Sequence, residues 1–234
     1  MNKNMLFIIG GAVIILVAGA AQFLPTRSGV SSVIPTATST GEQSAGAATT
    51  TPAPVTNENT TSRNPAVHPL PVISGESIAS WDFKGAYTDN PELVAKARSE
   101  INRLSSLLAA ATSSASEMIL SVGIANQYEL LGDGKKQYEY LGRAVQAVPT
   151  NGLPWHNLGV LMERLGTLET ARIAYEKSTL VQPELKFYHY AYIEFLLLRT
   201  KSDTARIEKA FAFAEKNIGK TQYLIELRAE WQKP

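Results

Sequence analysis

The strongest constraint on this chain is a pattern that occurs twice, 34 residues apart. One copy reads Trp155, Leu158, Gly159, Met162, Gly166, Ala171, Tyr175, Ser178 and Pro183. The copy before it reads Ser121, Ile124, Ala125, Tyr128, Gly132, Gln137, Leu141, Ala144 and Pro149. Trp155, Leu158 and Met162 fall at i, i+3 and i+7, one stripe of a helix. Gly159 lies inside that helix, where it costs about 1 kcal/mol relative to Ala. Its presence there implies a second helix passing too close for a side chain. Gly166 suits the positive-φ residue that ends a helix. Ala171, Tyr175 and Ser178 then give a second helix a small-large-small face, and Pro183 stops it. Gly and Pro recurring in phase make the two units together far more specific than either alone.

A third copy is more divergent. His189, Tyr192, Ile193 and Leu196 take the first-helix positions, and Ala205 and Ala212 those of the second. Ile193 stands where a small residue is wanted, Lys209 replaces the aromatic and Asn217 the proline. The turn Thr200-Lys201-Ser202-Asp203 is also longer than the others, so the register of this second helix is open. Helices flank the series. Asn90-Pro91-Glu92 is a start signal, with a capping side chain, Pro at the first helical position and an acid in the first turn. Leu93, Ala97, Ile101, Leu104 and Leu108 continue it at spacings of three and four, to about Ala111. Lys96, Arg98, Glu100 and Arg103 make its other face an ordinary solvated one. Ser114 and Glu117 offer a capping box for the next helix. Tyr223, Leu227 and Trp231 recur every four residues and predict a final helix.

These motifs resemble the tetratricopeptide (TPR) repeat, an antiparallel helix pair of about 34 residues. The resemblance covers roughly residues 118–219, with departures at Ser121 and Gln137. It implies an all-α solenoid of about three helix pairs: residues 118–151, 152–185 and a divergent 186–219. Residues 76–117 then form a lead-in segment and capping helix, and 220–234 a second cap, as solenoid ends require. Members of the family bind proteins or peptides in a concave groove lined by the first helix of each pair. Carried over, the groove positions are Asn126, Glu129 and Leu130; His156, Val160, Glu163 and Arg164; and Phe187, Tyr190, Glu194 and Leu197. The mix of apolar, aromatic and acidic side chains suits a partner with apolar and basic character. The subtype that clamps a C-terminal carboxylate is excluded. Asn126 is in place, but Val122, Leu153 and Asn157 stand where its basic residues belong.

The N-terminal quarter reads differently. Met5 to Leu24 is an apolar run of about 30 Å as a helix, enough to cross a bilayer's hydrocarbon core. Lys3 before it and Arg27 after it bias residues 1–4 weakly to the cytoplasm and the rest to the outside. Ala18-Gly19-Ala20 has the form of a signal-peptide cleavage site, whereas the apolar run continuing through Phe23 and Leu24 favours a membrane anchor. Residues 25–75 are rich in Thr, Ser, Pro and Ala. Such a stretch buries too little apolar surface to offset its conformational entropy. It reads as a disordered tether of roughly 35–45 Å as a flexible coil. Asn59-Thr60-Thr61 matches a glycosylation acceptor, and Val67 to Ile73 has the character of an extended docking segment. The aromatics of Ser80 to Tyr87 either cap the helical domain or offer a partner an aromatic patch.

Several functions are excluded. The 22 basic residues are interleaved with 21 acidic ones for a net charge of +1, without the basic cluster that nucleic-acid binding needs. Cysteine is absent, which removes disulfides, thiolate metal sites and cysteine nucleophiles. Of the three histidines, His68 lies in the tether and His156 and His189 on neighbouring first helices. A metal site would need further ligands, for which only Glu163 and Glu194 are at hand. Gly132-Asp133-Gly134-Lys135 lacks the full phosphate-loop form. The expectation is a protein-binding scaffold with no catalytic residues, cofactor, metal or small-molecule substrate. A permanent subunit of a cell-envelope assembly (secretion, pilus or wall machinery) is the alternative. N-terminal sequencing of the mature protein separates anchor from signal peptide: an intact N-terminus is expected, and a start at Ala21 contradicts the anchor.

Overall fold

The computed structural model describes residues 67–233. The apolar run 5–24 and the linker up to residue 66 lie outside them. All regular structure among the described residues is helical: α1 (Pro91–Ala109), α2 (Ser114–Leu131), α3 (Gly134–Ala147), α4 (Gly152–Arg164), α5 (Leu168–Val181), α6 (Lys186–Arg199), α7 (Thr204–Ile218) and α8 (Gln222–Trp231). Each helix packs against its neighbour in the chain, and α8 lies against both α6 and α7. None of these helices is long and apolar enough to cross a membrane.

Local chemistry sets the helix ends. Asn90 accepts hydrogen bonds from the backbone N–H groups of Glu92 and Leu93 at the start of α1, satisfying donors that have no partner inside the helix. At α2 the capping residue is Ser113, bonded to the N–H of Ser116, one position before the expected Ser114 box. Gly132 and Gly166 both stand at φ +81°, so each ends its helix in the left-handed region that glycine enters without penalty.

The repeat positions form the core. Ile124, Ala125, Leu141, Ala144, Leu158, Met162, Ala171 and Ser178 are wholly buried, with Trp155 and Tyr175 nearly so, while Tyr128 is half-buried against the α1–α2 cluster. A Cβ on Gly159 would stand 2.9 Å from the Tyr175 ring. The missing side chain is therefore what lets α4 and α5 approach. Successive pairs are joined by one recurring bond: the Trp155 indole donates to the Pro149 carbonyl at 3.1 Å, and His189 Nε2 meets the Pro183 carbonyl at 2.7 Å.

The third pair corrects the sequence register. Ala205, Lys209 and Ala212 are exposed. Ile207, Phe211 and Ala214 are buried instead, each two residues later than the 34-residue step predicts. The longer Thr200–Asp203 turn delays α7, whose capping residue Asp203 accepts from the Arg206 N–H. Phe211 is thus the aromatic that Lys209 failed to supply.

Residues 67–88 make a second difference. Composition assigns 67–75 to the tether, yet they lie against the helices, as the docking character of Val67 to Ile73 implies: Leu70 is 3% exposed and the Ile73 N–H donates to Thr170 Oγ1 at 3.0 Å. Farther along, the Phe83 N–H bonds to the Gly132 carbonyl, the Tyr87 N–H to that of Leu130, and the Gly134 N–H to that of Trp81. Gly132 is needed here as well, since a Cβ would come within 2.0 Å of the Phe83 carbonyl oxygen.

Replacing Gly159 with Ala should destabilise the protein by about 1–3 kcal/mol in urea unfolding, because overpacking outweighs the better helix propensity. A raised unfolding midpoint contradicts the close approach of α4 and α5.

Candidate functional site

The first helices α2, α4 and α6 carry the groove positions on one linked face. Arg164 bridges to Glu129 at 3.1 Å, joining α4 to α2, and Arg199 to Glu163 at 2.8 Å, joining α6 to α4. Tyr223 of α8 donates its hydroxyl to Glu194, and Tyr190 donates to Thr221 Oγ1 at 2.8 Å. Asn126, Glu129, Leu130, Val160, Glu163, Tyr190, Glu194 and Leu197 are half-buried, Arg164 and Phe187 are exposed, and His156 is buried. The Leu130 backbone is held by Tyr87, and the Arg164 guanidinium lies 4.6 Å from the centre of the Phe83 ring. The end of the face nearest the α2–α3 turn is therefore shared with the lead-in segment.

These contacts change the electrostatic reading. Each glutamate at a groove position has a partner within the chain, and Glu163 also accepts the Tyr175 hydroxyl at 3.0 Å. Burial, reinforced by Glu163, pushes the Tyr175 phenol well above its ordinary range. Burial and the Glu194 carboxylate push Tyr223 up to about 12. Both phenols stay protonated and keep donating. Arg164 and Arg199 compensate the charge of Glu129 and Glu163, whereas the partner of Glu194 is a neutral phenol.

Its apolar side chains are more open. Ile119 is 48% exposed and Phe187 40%, with Leu153 half-buried between them in sequence. All three occupy the same position of successive units, two residues before Ser121, Trp155 and His189. Leu153 packs on the Met118–Val122 cluster. The groove list carried over from the family included Phe187 but missed Ile119 and Leu153. The 34-residue step applied to exposed positions, rather than motif positions, would have found them.

His156 is 8% exposed and sits among rings, with Phe187 at 4.6 Å, Tyr175 at 5.6 Å and Tyr188 at 5.9 Å between centroids. Burial lowers its pKa to about 4, and its Nδ1 has no hydrogen-bond partner. His189 is committed to the Pro183 carbonyl, so the two imidazoles have separate environments. Among the described residues no group of three or more His, Asp or Glu is placed to hold a metal ion. Ser121 Oγ and Gln137 Oε1 are also buried without partners. They are the two positions at which the first unit departs from the repeat pattern, so polar groups stand where the pattern places packing residues.

Between α1 and the end of α2, a cleft of about 580 Å³ is lined by residues including Arg98, Asn102, Tyr128 and Asp133. It is open to solvent and includes none of the groove positions.

No protein-family model matches the chain, and no curated protein matches it.

Because the folded pKa of His156 lies below the free value of 6.5, its contribution to stability is complete above that value and lost as pH falls through the folded one. NMR of the His156 ring should show it neutral from pH 8 to 5; a midpoint near 6.5 contradicts the buried placement.

Proposed function

We propose that this chain is a membrane-anchored, outward-facing scaffold of the tetratricopeptide type. It binds a protein or peptide through the face of its first helices and catalyses no reaction. The observation that carries this reading is the repeat register, which runs through α2–α3, α4–α5 and α6 and continues in α7 after a two-residue shift before Asp203. Stacked helix pairs place equivalent side chains in rows, and the row of Ile119, Leu153 and Phe187 is apolar, exposed at Ile119 and Phe187 and half-buried at Leu153. Exposed apolar rows rimmed by polar groups suit protein partners. With Glu129 and Glu163 paired to arginines, apolar contact is the main source of affinity. The outward-facing anchor rests on the run Met5 to Leu24 and the charges around it.

Crosslinking of the full chain in its own membranes tests the proposal. Phe187→Asp together with Leu153→Asp should abolish substoichiometric, competable crosslinks, whereas Leu180→Asp on α5 should preserve them. A fixed stoichiometric complex that survives the Phe187 and Leu153 changes but not Leu180→Asp contradicts groove binding and favours a permanent envelope subunit. An enzymatic activity lost on replacing His156 or Glu163 contradicts the scaffold reading altogether.

A further inference from the structure

We propose that residues 67–79 form a strap on α3 and α5 whose N-terminal part, residues 67–75, is released by mild acid, with His68 as the sensing group and Glu76 as the anchor that remains. The strap is held by two anchors, each a titratable side chain seated in a place shaped for it.

The first anchor is His68. Its ring stacks on Tyr138 with centroids 3.5 Å apart and planes 16° from parallel. It occupies the space left by Gly142, where a Cβ would come within 2.2 Å of the imidazole Nε2. Nε2 lies 2.9 Å from the Tyr138 carbonyl, and Nδ1 lies 3.1 Å from the Leu70 N–H and 3.0 Å from the Leu70 carbonyl. In the neutral ring with hydrogen on Nε2, both nitrogens are satisfied: Nε2 donates to Tyr138 and Nδ1 accepts from Leu70. Protonation of Nδ1 puts two donors face to face and ends the bond from the Leu70 N–H. The Leu70 carbonyl then has to accept from Nδ1 as well as from the Tyr138 hydroxyl, which already donates to it.

The second anchor is Glu76. Thr167, the capping residue of α5, donates its hydroxyl to the Met162 carbonyl at 3.0 Å and does not cap the helix. Glu76 does so from the strap: its carboxylate accepts from the Glu169 N–H at 2.7 Å, the Thr170 N–H at 2.8 Å and the Thr170 hydroxyl at 2.6 Å. An anion at a helix N-terminus also meets the positive end of the helix dipole.

The surrounding charges agree with release by acid. His68 faces Tyr138 and Lys135 on α3. Burial is the largest influence and lowers its pKa below 6.5, with Lys135 acting in the same direction against the two carbonyls. Glu76 faces Thr170 and Glu169 on α5, where the Glu169 carboxylate is engaged by Arg172 at 2.7 Å and Arg206 at 3.6 Å. Burial acts to raise the Glu76 pKa, but the bonds from Thr170 and Glu169 prevail and hold it below 4.5. Both groups favour docking in their deprotonated form. Docking is therefore complete above pH 6.5 and weakens as pH falls through the folded value of His68, while Glu76 stays charged until lower pH. Release of the His68 anchor uncovers the Gly142 seat and frees residues 67–75, up to the Glu76 anchor, a reach of about 16 Å as a flexible coil.

Amide hydrogen exchange of the full chain at about pH 7.5 and about pH 5.5, corrected for intrinsic exchange rates, tests the strap. Residues 67–75 should exchange several-fold faster relative to α4 and α5 at the lower pH. His68→Gln should remove that difference. Gly142→Ala, which fills the ring's seat and favours helix in α3, should give fast exchange of the strap at both pH values with α4 and α5 unchanged. Equal protection of the wild-type strap at both pH values overturns the proposal. So does a His68→Gln variant that keeps the wild-type difference, or a Gly142→Ala strap that stays protected.

Discussion

The fold depends on how closely α4 and α5 approach. Gly159 lets the backbone of α4 rest on the Tyr175 ring, with no room for even one methyl group between them. That contact fixes the pairing of the two helices and aligns the rest of their interface, including buried Leu158, Met162, Ala171 and Ser178. A ring nitrogen bonded to a proline carbonyl then ties one pair to the next, from Trp155 to Pro149 and from His189 to Pro183. The same construction used repeatedly makes a stack in which each helix needs only its neighbours. The rows of side chains on the first helices are a consequence of that repetition.

The first two pairs were legible in the sequence because their determinants are local. Capping residues, left-handed glycines and a buried stripe all act within a few residues of one another. The third pair was only half legible. Its first helix follows the 34-residue step, but the step carries no information about turn length, and two extra residues before Asp203 exchange the buried and exposed faces of α7. The strap was less legible still. His68 meets Tyr138, and Glu76 meets Thr170, across 70 and 94 residues. A segment held mainly by such distant contacts shows in its sequence the apolar character of Val67 to Ile73, but not the surface it docks on.

The groove positions show the same division. Which residues face outward from the first helices follows from helical spacing. Whether a glutamate there is free to bind a partner depends on arginines 35 and 36 residues away, at Arg164 and Arg199. The open apolar row and the strap lie on different helices, the first on α2, α4 and α6 and the second on α3 and α5. The proposed binding row and the strap therefore draw on separate sets of side chains.

The central claim is that one repeat register organises α2 to α7, with Trp155 as a packed member of it. Equilibrium unfolding of the Trp155→Ala variant tests this most directly. Trp155 is 8% exposed and its indole N–H is bonded to Pro149, so a loss of about 3–5 kcal/mol is expected. A loss below about 1 kcal/mol, in the range of ordinary surface substitutions, would contradict it.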